Sequence, residues 1–338
     1  MKKFFLFLVS LLIGAALFLF IINNVGWEEI LLALKTFSLK AGLIILLLTI
    51  LSFFVRSWRW KMVLKSQGYN IPTLRIIEYY LSGNAIGFFF PMVILGGEIF
   101  RGYDLKEKYS VPWPKSIASV FIDRFLEITI NAIVIIFGIF FLFSKVSFLS
   151  QKIGIALFLL AISTAIAVVV FYFKSFRKES IIKFFLKKLN LRHNNGADTM
   201  IDVEKEIFAY FGPNKKTMWQ GFGLSLITQL ILTARTFFLV LFLGKQISFL
   251  GATAVVAFSF LAITLPIPAA LGSHEAVQSF VFNAFGLGAN IGMAFVFIVR
   301  GAELAVALLG LIFFFRFGIQ MMESIVFKKI AKLIKIKQ

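Results

Sequence analysis

The sequence predicts an all-α polytopic membrane protein with six full spans and two re-entrant hairpins, arranged as inverted-topology repeats. Three observations predict it. Apolar runs long enough to cross a bilayer recur along the 338 residues, basic residues collect in alternate connections, and two apolar segments are broken by proline and glycine. Hydrophobic residues make up 60% of the chain and charged residues 15%, with a mean hydropathy of +0.93. A soluble domain is nearer half apolar and a quarter charged, whereas runs of about 20 apolar residues match a hydrocarbon core. The absence of cysteine excludes disulfides, thiolate nucleophiles and cysteine metal sites.

The first run, Phe4–Ile22, follows Lys2 and Lys3 as a signal peptide would. It is longer than a usual h-region, and no small-x-small cleavage site precedes Asn23-Asn24, so it is read as a retained first span. Leu39–Val55, Lys115–Phe143, Ile153–Phe173, Met218–Leu243 and Ile291–Phe315 are the other unbroken spans. Between them lie the two broken segments, 76–103 with Pro91, Gly96 and Gly97, and 251–287 with Pro266, Pro268 and Gly272.

Basic residues fix the expected orientation. Of 35 lysines and arginines, 26 fall at the N-terminus, in 56–75, 101–115 and 174–217, or in the tail 321–338; five fall in the remaining connections. Both termini are therefore expected on the cytoplasmic side of a cell membrane. The connections on either side of 76–103 are both inside, so that segment must enter and return. By the same count 251–287 dips in from the opposite face. Broken backbone at such depth persists only where protein or a watery cavity satisfies it. The chain divides into one repeat over 1–150, a second over 151–320 and the tail. The basic stretches 176–191 and 325–337 read as helices on anionic lipid or as simple positive-inside anchors. Because the charge is spread over membrane-flanking loops, nucleic acid is not an expected partner.

An internal duplication supports the division. Pro91-x6-Glu98 is echoed by Pro268-x6-Glu275 at an offset of 177, and Phe121-Ile122-x-Arg124-x-x-Glu127 by Phe297-Ile298-x-Arg300-x-x-Glu303 at 176. Arg56-Ser57-Trp58 is echoed more weakly by Arg235-Thr236-Phe237 at 179. Three echoes in one order at nearly one offset indicate a repeat. Inverted repeats with broken helices near the midplane are an architecture of secondary transporters.

The duplicated residues are also the candidate site. Arg124 lies roughly 13 Å and Arg300 roughly 15 Å into their spans, counted from opposite faces, where a charge costs at least about 2.5 kcal/mol. Glu127 and Glu303 stand at i+3 on the same helix faces. Two readings are open: an ion pair that packs the bundle, or guanidinium groups that also present donors to a phosphate in a central cavity. Glu98 and Glu275 open the second leg of each hairpin, where a helix dipole favours an anion. They are helix-end caps or carry a proton-coupling or headgroup role. Arg56 and Arg235 complete the candidate substrate-binding set: Arg56, near the cytoplasmic face, either snorkels or joins the site, while Arg235 lies at mid-membrane depth, flanked by apolar sequence. His274-Glu275 begins like a zinc motif, but Gln278 stands at the second histidine position and His193 is the only other histidine. No metal, cofactor or catalytic residue is predicted.

The run Arg56-Ser57-Trp58-Arg59-Trp60, then Gly83-Asn84 leading to Pro91, Gly97-Glu98, Arg101 and Asp123-Arg124, resembles the lysylphosphatidylglycerol synthase transmembrane (flippase-like) family. Pro266-x-Pro268, Leu271-Gly272 and Glu275 match its second block, and the likeness runs from about Phe4 to Phe315. Members often show Pro-Gly where this chain has Pro91-Met92, and an apolar or basic residue where His274 stands. The resemblance implies a stand-alone membrane region without the soluble aminoacyl-transferase domain. It also implies a flippase or transporter for a phosphate-bearing lipid, whether phospholipid, aminoacyl-phospholipid or polyprenyl-phosphate-linked. The alternatives are a membrane enzyme or enzyme subunit in polyprenyl-phosphate or glycolipid synthesis, or a scaffold. Membrane lipids, anionic or phosphate-bearing, are the expected partners.

Overall fold

A computed structural model describes residues 19–20, 23–89, 96–145, 151–188, 195–212, 215–264 and 271–335. All but two residues of the predicted first span, together with Pro91, Pro266 and Pro268, lie outside the described residues. Every described element is helical: α1 (Trp27–Lys35), α2 (Leu39–Ser66), α3 (Thr73–Phe89), α4 (Gly96–Tyr109), α5 (Trp113–Lys145), α6 (Gln151–Arg177), α7 (Ile181–Lys188), α8 (Asn195–Tyr210), α9 (Lys216–Phe242), α10 (Phe249–Thr264), α11 (Ser273–Ala284) and α12 (Ala289–Lys335).

Five of these are long and apolar enough to cross a membrane: Leu39–Ser66, Trp113–Lys145, Ile155–Arg177, Lys216–Phe242 and Ala289–Phe317. The protein is a polytopic membrane protein. Its outer surface carries many exposed large apolar side chains, among them Leu47, Ile133, Leu159, Val169, Leu226 and Ile312. In α6 only 6% of the apolar window is buried, so that helix stands at the lipid-facing periphery.

The broken segments become pairs of shorter helices. α3 and α4 have 17 and 14 residues, α10 and α11 have 16 and 12. At 1.5 Å per residue each is about 18–26 Å long, short of a core of about 30 Å. The first pair closes tightly: a Cβ on Gly97 would overlap the carbonyl oxygen of Gly83. In the second, Gly272 precedes α11 with φ +77°, a conformation that a side chain would strain.

Packing between the two halves is reciprocal. α3 lies along α12, and α10 lies along α5, the corresponding helix of the other half. Gly310 of α12 meets Leu81 and Ala85 of α3; Gly138 of α5 meets Ala254 and Ala257 of α10. These contacts exchange at sequence offsets of 172–173. Helices α2 and α9, which carry Arg56 and Arg235, pack on each other. Arg235 reaches Thr49 and Arg59 reaches Ser225, so sequence rises along one helix as it falls along the other. The two are antiparallel.

The basic connection 174–217 is not merely a loop. Glu204 of α8 accepts the backbone N–H groups of Ile181 and Ile182 at 2.7 and 3.1 Å, and also pairs with the Ser180 hydroxyl. A carboxylate there meets unpaired donors and the positive end of the helix dipole. Ile207, Phe208 and Phe211 then bury against Ile122 and Leu126 of α5, docking this surface unit on the bundle. The tail from 321 continues α12 as helix to Lys335.

Candidate functional site

Three helices of the first half each bring ionisable residues at i,i+3 or i,i+4 spacing to one place: Arg56 and Arg59 from α2, Glu98 and Arg101 from α4, and Asp123, Arg124 and Glu127 from α5. Asp123 accepts from Arg59 Nε at 2.7 Å and from Arg101 Nη2 at 3.0 Å. Glu127 binds Arg56 Nη1 at 3.3 Å, Arg59 Nη2 at 3.1 Å and Arg124 Nη1 at 3.5 Å. Arg124 is held more closely by Glu98 of the hairpin, 2.6 Å from Nε and 2.5 Å from Nη2. Arg101 also lies over the rings of Trp60 and Tyr80, 3.9 and 4.3 Å from their centroids, a cation–π arrangement.

Arg59 and Asp123 are both fully buried. An unpaired charge in such a place costs several kcal/mol, which is why the signs alternate. The alternation is not complete: four arginines face three carboxylates, leaving one excess positive charge.

The second half repeats the outer pairs. Arg235 Nη1 meets Glu303 at 3.5 Å, as Arg56 meets Glu127. Arg300 Nε meets Glu275 at 3.5 Å, as Arg124 meets Glu98. The inner cluster is not repeated. Phe238, Val299 and Gln278 stand at the offsets where Arg59, Asp123 and Arg101 would fall.

Between α2, α5 and α9 is a narrow cleft with a cavity volume of only about 10 Å³, lined by Arg56, Arg59, Glu127, Asn131, Thr228 and Gln229 among others. That is room for about one water molecule, so a headgroup could enter only if the helices part. Along the α2/α9 seam, Arg56 Nε, Gln229 Nε2 and Arg235 Nε are buried without a hydrogen-bond partner among the described residues. All three are donors. A buried donor without an acceptor is costly, and an anion would satisfy it.

The predicted site residues are thus placed as follows. Arg56 and Glu127 line the cleft, Arg124 and Glu98 adjoin it through Glu127, and Arg235–Glu303 and Arg300–Glu275 form separate pairs. Gly96 and Gly97 open α4, and Gly272 precedes α11. None of Glu98, Glu275, Arg124 and Arg300 lines this cleft. Arg56 does not simply snorkel; it is paired with Glu127 and is 5.7 Å from the Phe53 ring centroid. Sequence reasoning passes over Arg59, Arg101 and Asp123 as site residues. The signal is nonetheless present, since each stands one residue or one helical turn from a residue already singled out. Among the described residues no three histidines, aspartates or glutamates gather in a way that would hold a metal ion.

The family profile described as the lysylphosphatidylglycerol synthase TM region matches residues 7–310. A UPF0104 membrane protein of Methanocaldococcus jannaschii is 24% identical over 293 residues, covering 85% of this chain and 87% of the relative. A UPF0104 membrane protein of Pyrococcus horikoshii is 25% identical over 308 residues, covering 85% and 88%.

Proposed function

The chain belongs to the family of the lysylphosphatidylglycerol synthase TM region, and from that premise we propose that it moves a phosphate-bearing lipid between membrane leaflets. The observation that carries the proposal is the duplicated set of Arg–Glu pairs flanking a seam of unsatisfied donors between two antiparallel helices. Reciprocal packing of α3 on α12 and α10 on α5 supports two inverted repeats, and the placement of the basic residues supports cytoplasmic termini in a cell membrane. Such halves can exchange conformations about a fixed central site, which gives alternating access a physical route.

Anion binding follows from the charge balance. The first half carries one excess guanidinium charge, and the planar fork of arginine suits phosphate oxygens. A headgroup enters this seam when α2 and α9 part, while the lipid tails stay in the bilayer. The same geometry favours binding over catalysis. Glu98, Asp123, Glu127, Glu275 and Glu303 each have an arginine within 3.5 Å, so none is the un-neutralised carboxylate pair that a general acid–base mechanism would use.

Mass spectrometry of lipids retained by the purified protein tests this reading. The expected result is selective retention of phosphate-bearing lipid, reduced by R56A. Retention that mirrors bulk membrane composition, with no change in R56A, would count against it.

A further inference from the structure

The two hairpin carboxylates are sequence equivalents but are not held equivalently. Glu98 makes two short contacts with Arg124, and its side chain is 15% exposed. Glu275 is 1% exposed, meets Arg300 at 3.5 Å through Oε1 alone, and has Oε2 without a hydrogen-bond partner among the described residues. Beside it His274 is also buried, with Nε2 unpartnered. The first half has Gly97 at the place of His274, where the Gly83 carbonyl leaves no room for any side chain. The second half has therefore built two buried titratable groups at the start of α11, where the first half has one well-paired carboxylate.

We propose that Glu275 is a proton-binding site and that its proton and the lipid phosphate bind together, so that lipid movement is coupled to proton movement. The coupling half of this inference rests on the transport reading above.

The charges around Glu275 set the sign. From α12 come Arg300 and Glu303, and from α9 Arg235, which holds Glu303. α10 carries no ionisable side chain. α1, which packs at Ala276, carries Glu28 and Glu29 in its exposed first turn and Lys35 in its last. With Glu275 charged, two arginines balance two glutamates, and a phosphate entering there gains little. When Glu275 takes a proton from water on one face, its carboxylate becomes a neutral carboxyl and the cluster gains one positive charge. A phosphate anion is then favoured. Release of the proton to water on the other face restores the balance and expels the anion. Linkage is reciprocal, so phosphate occupancy must raise proton affinity by the same factor.

Infrared difference spectroscopy of the purified full chain, titrated over about pH 5–9, reads the proton directly and needs no transport. Beside the band of the buried Asp104 carboxyl, identified by its loss in D104N, the expected result is a second buried carboxyl band that titrates in wild type and in E98Q and is lost in E275Q. A second band unchanged in E275Q, or no second band in wild type, overturns the proton site. The coupling is read in proteoliposomes containing fluorescent phosphatidylglycerol. For one proton per lipid, an imposed pH gradient should shift the leaflet ratio about tenfold per pH unit in wild type and not at all in E275Q. Lipid movement that ignores the gradient in wild type overturns the coupling. A titrating band removed by E275Q, in a protein that moves no lipid, would uphold the proton site and remove the transport reading instead.

Discussion

Two guanidinium groups, from Arg59 and Arg101, share the carboxylate of Asp123, and all three side chains are buried. Removing that carboxylate leaves two buried cations short of a partner, whereas the outer pairs have neighbours to fall back on. Breaking a buried pair in this way costs about 3–5 kcal/mol. D123N is therefore expected to lower the thermal midpoint of the purified protein far more than E303Q. Equal midpoints would mean that Arg59 and Arg101 do not depend on Asp123. Asp104, at the far end of α4, gives a pH prediction. It is 5% exposed, its Oδ2 has no partner among the described residues, and burial pushes its carboxyl up to about 6, with Lys108 opposing. A raised folded value favours the protonated folded form. The associated stability is full below the ordinary value near 3.9 and is lost as pH rises through about 6. D104N, neutral at every pH, should raise the midpoint at pH 8, by less at pH 5, and change it little at pH 4. The same increment at all three would contradict the assignment.

At the scale of elements, the glycine contacts hold the halves in register. A methyl group on Gly310 would meet the Leu81 carbonyl, and one on Gly138 would meet Ala257 Cβ, so the helices would have to part. Overpacking of this kind costs about 1–3 kcal/mol. G310A and G138A are expected to destabilise comparably, while G301A, with open space around it, should be neutral or slightly stabilising. A neutral G310A would show that α3 and α12 do not pack as described. These contacts also mark the limit of what the chain discloses beforehand. The echoes Arg124/Glu127 and Arg300/Glu303 are legible because they repeat in order, but their partners are not. Spacing on one helix suggests an i,i+3 pair, and Arg124–Glu127 is present at 3.5 Å. The closer partner of Arg124 comes from another helix, as does that of Glu303, because a side chain arriving laterally can meet the carboxylate head-on. Helix adjacency is a tertiary fact that no one-dimensional pattern contains. Gly310 and Gly138 likewise read as ordinary residues of apolar spans until their neighbours are known.

At the scale of the whole molecule, the proposed inverted arrangement predicts Ser66 and Ser110 on the cytoplasmic face and Ser248 on the other; all three are exposed. Single cysteines there should label from opposite sides of the membrane, the first two together. Labelling of Ser66 and Ser110 from different faces would mean that 76–103 spans, and the symmetry would be lost. The lopsided charge within that symmetry bears on function: one half carries a buried cluster with an excess guanidinium, while the other carries Glu275 and His274. Under the proposed coupling, the proton gradient acting through Glu275 sets the direction of net movement.

The most direct measurement is leaflet exchange in proteoliposomes that hold the purified protein, with fluorescent phosphatidylglycerol and a polyprenyl phosphate as alternative probes. Wild type should move at least one of them faster than empty vesicles, and R56A and R235A should each bring the rate down to the empty-vesicle level. Exchange no faster than in empty vesicles for both probes, or exchange untouched by either arginine substitution, would contradict the proposed role of the seam between α2 and α9.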